Sequence, residues 1–464
     1  MMKKRLTFCV MAVMACASAF AQYVTAGDGT TYSLKTLSQH AETQLIVHQP
    51  GELSSRLTYE MPQSITISEG DTFVMDDDVC LLFAPNTMLT IEGNADFRVQ
   101  HESRIEVAES NEPAGSGVCI KSATAVEFEG CYFTRAGLEL MGTGGVHLTS
   151  CGFTQHDGSS AAAIYFITAG AESTIEHCTF GGCRKAAIGS AANASQSLTI
   201  DNCTFYCNST DNKNIPQINV TAASQLTISN CNLLGSPEHN MVGGIGISNF
   251  MGFEANVTVS GCTITDNRYG IGTVGPIGHV RIENNTLMNN RYETNPMNGG
   301  SGISLYDPYQ QTEAVVSGNH IEGSLWGVTI IGCKDVNLGQ PDNADIDSPG
   351  GNVFKDNGFD GQLYDLYNNS TLTVYAQNNT WNVAEQTPAE IEKVVFHKAD
   401  DDQLGEVIYW PAMTAGDTGL RQWSVDNGLE TMDRATVYDL QGRQIVGSSA
   451  RKKIVIVNGK KVVY

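Results

Sequence analysis

The 464-residue chain predicts an all-β fold, a parallel β-helix followed by a small C-terminal β module, on three observations. Short strands of alternating apolar residues recur through the middle of the chain. Each recurrence ends at one position held first by Cys and then by Asn. No helical period separates one recurrence from the next, which excludes βαβ folds and leaves a solenoid whose strands pair with their equivalents one coil away.

The repeat is an alternating strand, a polar or small pair, Cys or Asn, one residue, and then a large apolar residue. Val126 to Phe133, Val146 to Phe153, Ser173 to Phe180, Leu198 to Phe205, Leu226 to Leu233 and Val257 to Ile264 carry Cys131, Cys151, Cys178, Cys203, Cys231 and Cys262. Val280 to Leu287, Ala314 to Ile321, Gly350 to Phe354 and Gln377 to Trp381 carry Asn285, Asn319, Asn352 and Asn379. The intervals run from 20 to 34 residues, so loops of variable length are expected on fixed strands. In-register parallel stacking places identical residues above one another, where Asn amides hydrogen-bond up the column and small apolar Cys fills the same slot. A second strand follows each ladder residue, as in Gly137-Leu-Glu-Leu140, Gly244-Ile-Gly-Ile247, Gly270-Ile-Gly-Thr273, Gly302-Ile-Ser-Leu305 and Gly327-Val-Thr-Ile330. With coils roughly 4.8 Å apart, ten to twelve of them make a rod of about 50 to 60 Å.

On these residues the chain resembles the right-handed parallel β-helix, or pectate-lyase-like, family from Gln44 to about Pro411. The resemblance implies the fold and, more loosely, a carbohydrate ligand. Ile65 to Val74 and Met88 to Gly93 look like first coils. Ala376 to Trp381, Thr387-Pro-Ala-Glu390, Asp400 to Asp402 and Val407 to Pro411 resemble the segment closing many secreted bacterial β-helices. Thr387 as cap and Pro388 in the first turn predict a helix there, covering the open end of the stack.

At the N-terminus, Lys3-Lys4-Arg5, an apolar run to Phe20 and Ala19-Phe20-Ala21 read as a secretory signal cleaved after Ala21, with a lipoprotein box ending at Cys16 as the competing reading. Ala435 to Ile445 and Ile454 to Tyr464 resemble the end of the C-terminal sorting domain of Bacteroidetes-type proteins exported by the type IX secretion system. Asn458-Gly459 between apolar runs is a hairpin signal. The expected organisation is a signal peptide at 1–21 and a β-helix at 22–411, comprising N-terminal coils 44–115, main repeats 116–381 and a closing segment 382–411. A linker at 412–433 and a sorting-like tail at 434–464 follow.

The formal charge of −23 argues against nucleic acid, whose binding rests on phosphate neutralisation. No later segment approaches the roughly 20 apolar residues of a membrane span. A monomer, secreted or displayed on the cell surface, is expected.

Thirteen cysteines in an exported chain would ordinarily signal disulfides. The register of six of them favours stacked buried thiols, and no CxxC pair suggests zinc. A Cys183 to Cys207 bridge between adjacent coils stays open.

A polysaccharide lyase needs a Lys or Arg base and a cation, commonly Ca²⁺, to neutralise the substrate carboxylate. Asp266-Asn267-Arg268 and Asn289-Asn290-Arg291 have equal offsets from Cys262 and Asn285, so Arg268 and Arg291 are expected to stack one coil apart, with Asp266 and Asn289 beside them as substrate contacts. Lys355, with Asp356 next to it, repeats the pattern after Asn352. The alternative is a set of solvated turns, which Asn and Asp favour by bonding their own backbone. Asp342, Asp345 and Asp347 are the candidate Ca²⁺ ligands, or else a solvated acidic loop. Polygalacturonase motifs are only echoed, by Gly278-His279-Val280 and Arg281-Ile282-Glu283.

Two functions follow. One is non-catalytic binding of a polysaccharide or cell-surface glycan; the other is a Ca²⁺-assisted lyase. A groove where acidic and basic side chains converge would mark the lyase, and a face of small polar residues the binder.

Overall fold

The computed structural model describes residues 22–413, apart from 111–114, 195–196, 223 and 341–346, together with three short strands near the C-terminus. It is a right-handed parallel β-helix. One sheet of fourteen strands runs its length, beginning with Gln22–Val24 and ending with Val395–Phe396, every neighbour parallel. Two further columns of strands lie on either side of the corner that holds the Cys and Asn ladder. Coil pairing starts earlier than the Gln44 expected from the resemblance, because Gln22–Val24 already pairs with Ser64–Ile67. That strand has only three residues and no buried one, so it lacks an alternating signature.

The ladder is as the sequence reads. All ten positions are buried, and the Asn amides form a continuous chain: Asn285 Nδ2 to Asn319 Oδ1 at 3.0 Å, then Asn319 to Asn352 and Asn352 to Asn379, each at 2.9 Å. Cys262 joins it by donating its backbone N–H to Asn285 Oδ1 at 2.9 Å. Two residues on, Phe133, Phe153, Phe180 and Phe205 stack face to face with centroids 4.4 to 5.3 Å apart. The residue before each ladder position, from Gly130 and Ser150 to Asn378, has a positive φ, and this left-handed residue turns the corner.

Eleven cysteines are described, and all are free thiols, Cys183 and Cys207 included. Cys183 lies five residues after its ladder Cys and points inward, while Cys207 lies four after its own, in a left-handed turn with φ 50°. The one-residue difference sends the two side chains in opposite directions, so no bridge forms.

Helix Leu34–Leu37 buries Leu34 and Leu37 at the N-terminal end of the core. At the other end, Thr387 is the N-cap of helix Pro388–Ile391, as expected, although its side chain makes no capping bond. The closing segment also adds strands Val395–Phe396 and Val407–Ile408 to the stack, so the last coil is closed by continuation as well as by the helix. The C-terminal unit, Asp417–Tyr464, contains antiparallel strands Ile454–Val457 and Lys460–Val463, in which Val457 pairs with Lys460; the Asn458-Gly459 turn signal lies outside the described residues. Residues 1–21, expected to be a signal, most of the expected linker, and Asp342 and Asp345 lie outside the described residues. Among those described, no helix is long and apolar enough to cross a membrane.

Candidate functional site: an uncharged aromatic groove

The outer face of the long sheet is cleared of bulk over five successive coils. Register stacks Asn219, Gly246, Gly272, Ser304 and Thr329 in one outward column, which ends at Tyr367 on the sixth coil. This floor of small residues underlies a hollow of about 570 Å³. Loops that precede the strands wall one side, contributing Asn214, Pro216 and residues 296–299. Tyr269 lies flat on the floor. A Cβ at Gly272 would stand 3.1 Å from its ring, and one at Gly243 only 2.2 Å, so glycine is required beneath it. Burial pushes the Tyr269 phenol up to about 12.

Trp326, the first residue of its strand, stands on the same side. Its ring centroid is 5.0 Å from Tyr367, nearly parallel, and 4.9 and 4.8 Å from Phe359 and Tyr364. Its indole N–H donates to the Pro296 carbonyl at 3.1 Å, tying the aromatic wall to the 296–299 loop. Arg268 ties the two loops together: its guanidinium donates to Asn214 Oδ1 and to the Asn298 carbonyl, and both asparagines line the hollow.

Beyond Phe250 and Val274, which border both, lies a second hollow of about 390 Å³, walled by loops that follow the strands. Tyr306, Tyr309, Pro308 and Gln311 line it. Among the described residues, none that lines either hollow is charged, in a chain that is 17% Asp, Glu, Lys and Arg. Amphipathic rings over small hydroxyl and amide side chains suit a ligand with both apolar faces and many hydroxyls.

A family model described as the right handed beta helix region matches residues 89–249. The fold is thereby shared. Among solved structures, the chain is similar to a mutant of the periplasmic alginate epimerase AlgG, at 12% identity and a TM-score of 0.51, covering 82% of this chain and 83% of that one. A double mutant of the same enzyme matches at 11% identity and a TM-score of 0.45, over 83% and 84% of the two chains. No curated protein matches. At these identities the likeness concerns the fold alone.

The residues singled out from sequence fall in different places. Asp266, Asn289 and Asp356 occupy left-handed turns, with φ of 60°, 55° and 52°, four residues after a ladder position. Their neighbours Asn267, Asn290 and Asn357 are fully buried rather than solvated. They belong to a second ladder, five residues after the first. Gln217 Nε2 donates to Asn267 Oδ1 at 3.0 Å, Asn267 Nδ2 to Asn290 Oδ1 at 3.3 Å, and Asn357 Nδ2 to Asp365 Oδ1 at 3.3 Å. Equal offsets on successive coils were the available signal, and they meant packing.

Arg268 and Arg291 do not occupy equivalent positions. The backbone N–H of Gly300, not of Arg291, donates to the Arg268 carbonyl at 2.8 Å, because residues 291–299 leave the coil as a loop. Arg268 is buried, with both terminal nitrogens engaged. Lys355 lies on a strand of a different column, paired with Glu322 at 2.8 Å. Asp347 is exposed.

Among the described residues, one carboxylate and histidine group has ligand-like spacing: Glu392, His397 and Asp400. Its hydrogen bonds are already complete. His397 Nδ1 accepts from the Val407 N–H at 2.9 Å, which places the proton on Nε2, and Nε2 donates to Glu392 at 3.1 Å. Tyr409 donates to the other Glu392 oxygen at 2.5 Å. The group buttresses the closing segment.

Sequence reading missed Trp326, Tyr367, Tyr269 and Phe250. A signal existed in the outward glycines of Gly244-Ile-Gly-Ile247 and Gly270-Ile-Gly-Thr273, since glycine inside a strand marks close approach by another group.

Proposed function

We propose that the groove binds a neutral glycan without catalysing its cleavage, and that the protein does this outside the cell. The observation that carries the reading is the uncharged lining, with aromatic rings set over a floor of Asn, Ser, Thr and Gly. Sugar rings present C–H faces to aromatic planes, and their hydroxyls pair with short polar side chains. The net charge of −23 would repel a polyuronate, and no cation lines the groove to offset it. The similar solved structure is named for an enzyme of alginate, a polysaccharide, and that supports a carbohydrate ligand only by likeness of fold. Export rests on the N-terminal signal pattern and the sorting-like tail.

A lyase is the less supported reading. Its base would be Arg268, which is buried and bonded to Asn214 and Asn298, Arg291, which lines neither hollow, or Lys355, which is paired with Glu322 outside the groove.

The test is titration of the chain without its signal against neutral and uronic-acid polysaccharides, with and without calcium, while following absorbance from unsaturated products. The expected result is saturable binding of at least one neutral glycan, lost in Trp326→Ala, with no product. Unsaturated products from any uronate would overturn the reading.

A further inference from the structure

The main hollow does not end at the sheet. It continues past Phe250 and Val274 into the second hollow of about 390 Å³, on the opposite flank from Asn214 and Trp326. The large apolar side chains there stand out from the surface: Phe250 and Tyr309 are each 69% exposed, Met251 is 58% exposed and Tyr306 41%. Scattered exposed apolar residues are ordinary on a protein surface, whereas a cluster bordering a groove marks a contact site.

The turns that carry two of these rings are held by buried side chains. Asp307, which is 1% exposed, accepts the backbone N–H groups of Tyr309, Gln311 and Thr312 at 3.0, 2.8 and 2.7 Å, locking the turn that presents Tyr309. Asn249, fully buried, donates to the carbonyls of Phe253 and Pro276 at 2.6 and 2.7 Å and accepts the Phe253 N–H at 3.1 Å, locking the turn that presents Phe250. A backbone turn already fixed by a buried cap adds little ordering cost when a ligand stacks on the ring it carries.

We infer that the second hollow is a separate glycan subsite, so that a neutral oligosaccharide long enough to cross the sheet from Trp326 to Tyr309 occupies both. The inference rests on the proposed glycan reading and adds chain length as the selected property. Its lining is uncharged, like that of the first hollow, so one neutral chain suits both. The first hollow holds the short ligands and the second rewards extension.

The experiment is calorimetric titration with short and long members of β-1,4-linked gluco- and manno-oligosaccharide series, on the unmodified chain, Tyr309→Ala and Trp326→Ala. Affinity is expected to rise about ten-fold from short to long chains, equal to ~1.4 kcal/mol. Tyr309→Ala should abolish the rise and leave short-chain affinity unchanged, while Trp326→Ala should weaken every length. An affinity independent of length, or a rise that survives Tyr309→Ala, would overturn the subsite. Failure of short chains to bind at all would instead count against the glycan reading itself. Tyr309 is exposed and makes no core contact, so its variant folds, which unchanged thermal unfolding verifies.

Discussion

At Asn319 a single side chain serves three coils. Its amide nitrogen donates to the Ile282 carbonyl at 2.8 Å and to Asn352 at 2.9 Å, while its oxygen accepts both the backbone and the side-chain amide of Asn285 at 3.0 Å. Truncation strands several buried partners, each costing roughly 1–3 kcal/mol. Cys203, at the same position lower in the stack, mostly fills space, with weak thiol contacts to carbonyls at 3.2 and 3.4 Å. Asn319→Ala should therefore lower stability by about 3 kcal/mol or more, and Cys203→Ala by about 1 kcal/mol. Urea unfolding measures both, and equal losses would refute the distinction. Asp365 ends the second ladder as a fully buried carboxyl, and burial raises it to about 7. A raised folded value means that its contribution is complete below the unfolded value and declines as pH climbs through 7. Asp365→Asn should thus gain on the unmodified protein between about pH 4 and 7 and level off above, by on the order of 4 kcal/mol at most. Buried His156, lowered to about 4 chiefly by burial, has the opposite slope over much of that window, losing its contribution as pH falls below its unfolded value. Only the difference between the two proteins is therefore diagnostic, and a difference constant with pH would sink the assignment.

Loops and strands divide the work at the next scale. The first ladder, its strands and the closing Thr387-Pro388 turn were legible because parallel stacking enforces a fixed offset that variable loops do not erase. The second ladder obeyed the same offset but was hidden: Asn267 and Asn290 sit between turn residues and arginines, a composition that reads as a solvated corner. Left-handed residues on one side of each buried Asn account for that polar dress. The groove was harder still, since its walls come from residues 214–216, 269, 296–299, 326 and 367, on five different coils. Arg268 illustrates the difficulty. Sequence offers a base; the structure has a brace, its guanidinium spanning Asn214 and Asn298 beneath Gly299. Arg268→Gln should leave the coils paired yet free the 291–299 loop, raising its amide hydrogen exchange about ten-fold, which is ~1.4 kcal/mol of local stability. Exchange that stays at the unmodified rate would show that the brace holds nothing.

For the whole molecule, periodicity and charge were settled by the sequence alone. A residue repeated at an inward position needs an in-register stack to be satisfied, so Cys131 through Asn379 imply parallel coils whatever the loops do. An excess of 50 acidic over 27 basic residues disfavours polyanionic partners before any coordinate is known. Which face is functional was decided only in three dimensions. Outward residues one coil apart are separated by some 20 to 40 positions in the chain; Gly246 and Gly272 hint at a close approach on their own strands, but nothing local joins them with Ser304 into one floor or places Trp326 and Tyr309 at its two sides. Packing writes itself into sequence because every coil must meet the same constraint. A binding surface is assembled once, from single residues on several coils, and therefore leaves no period to read.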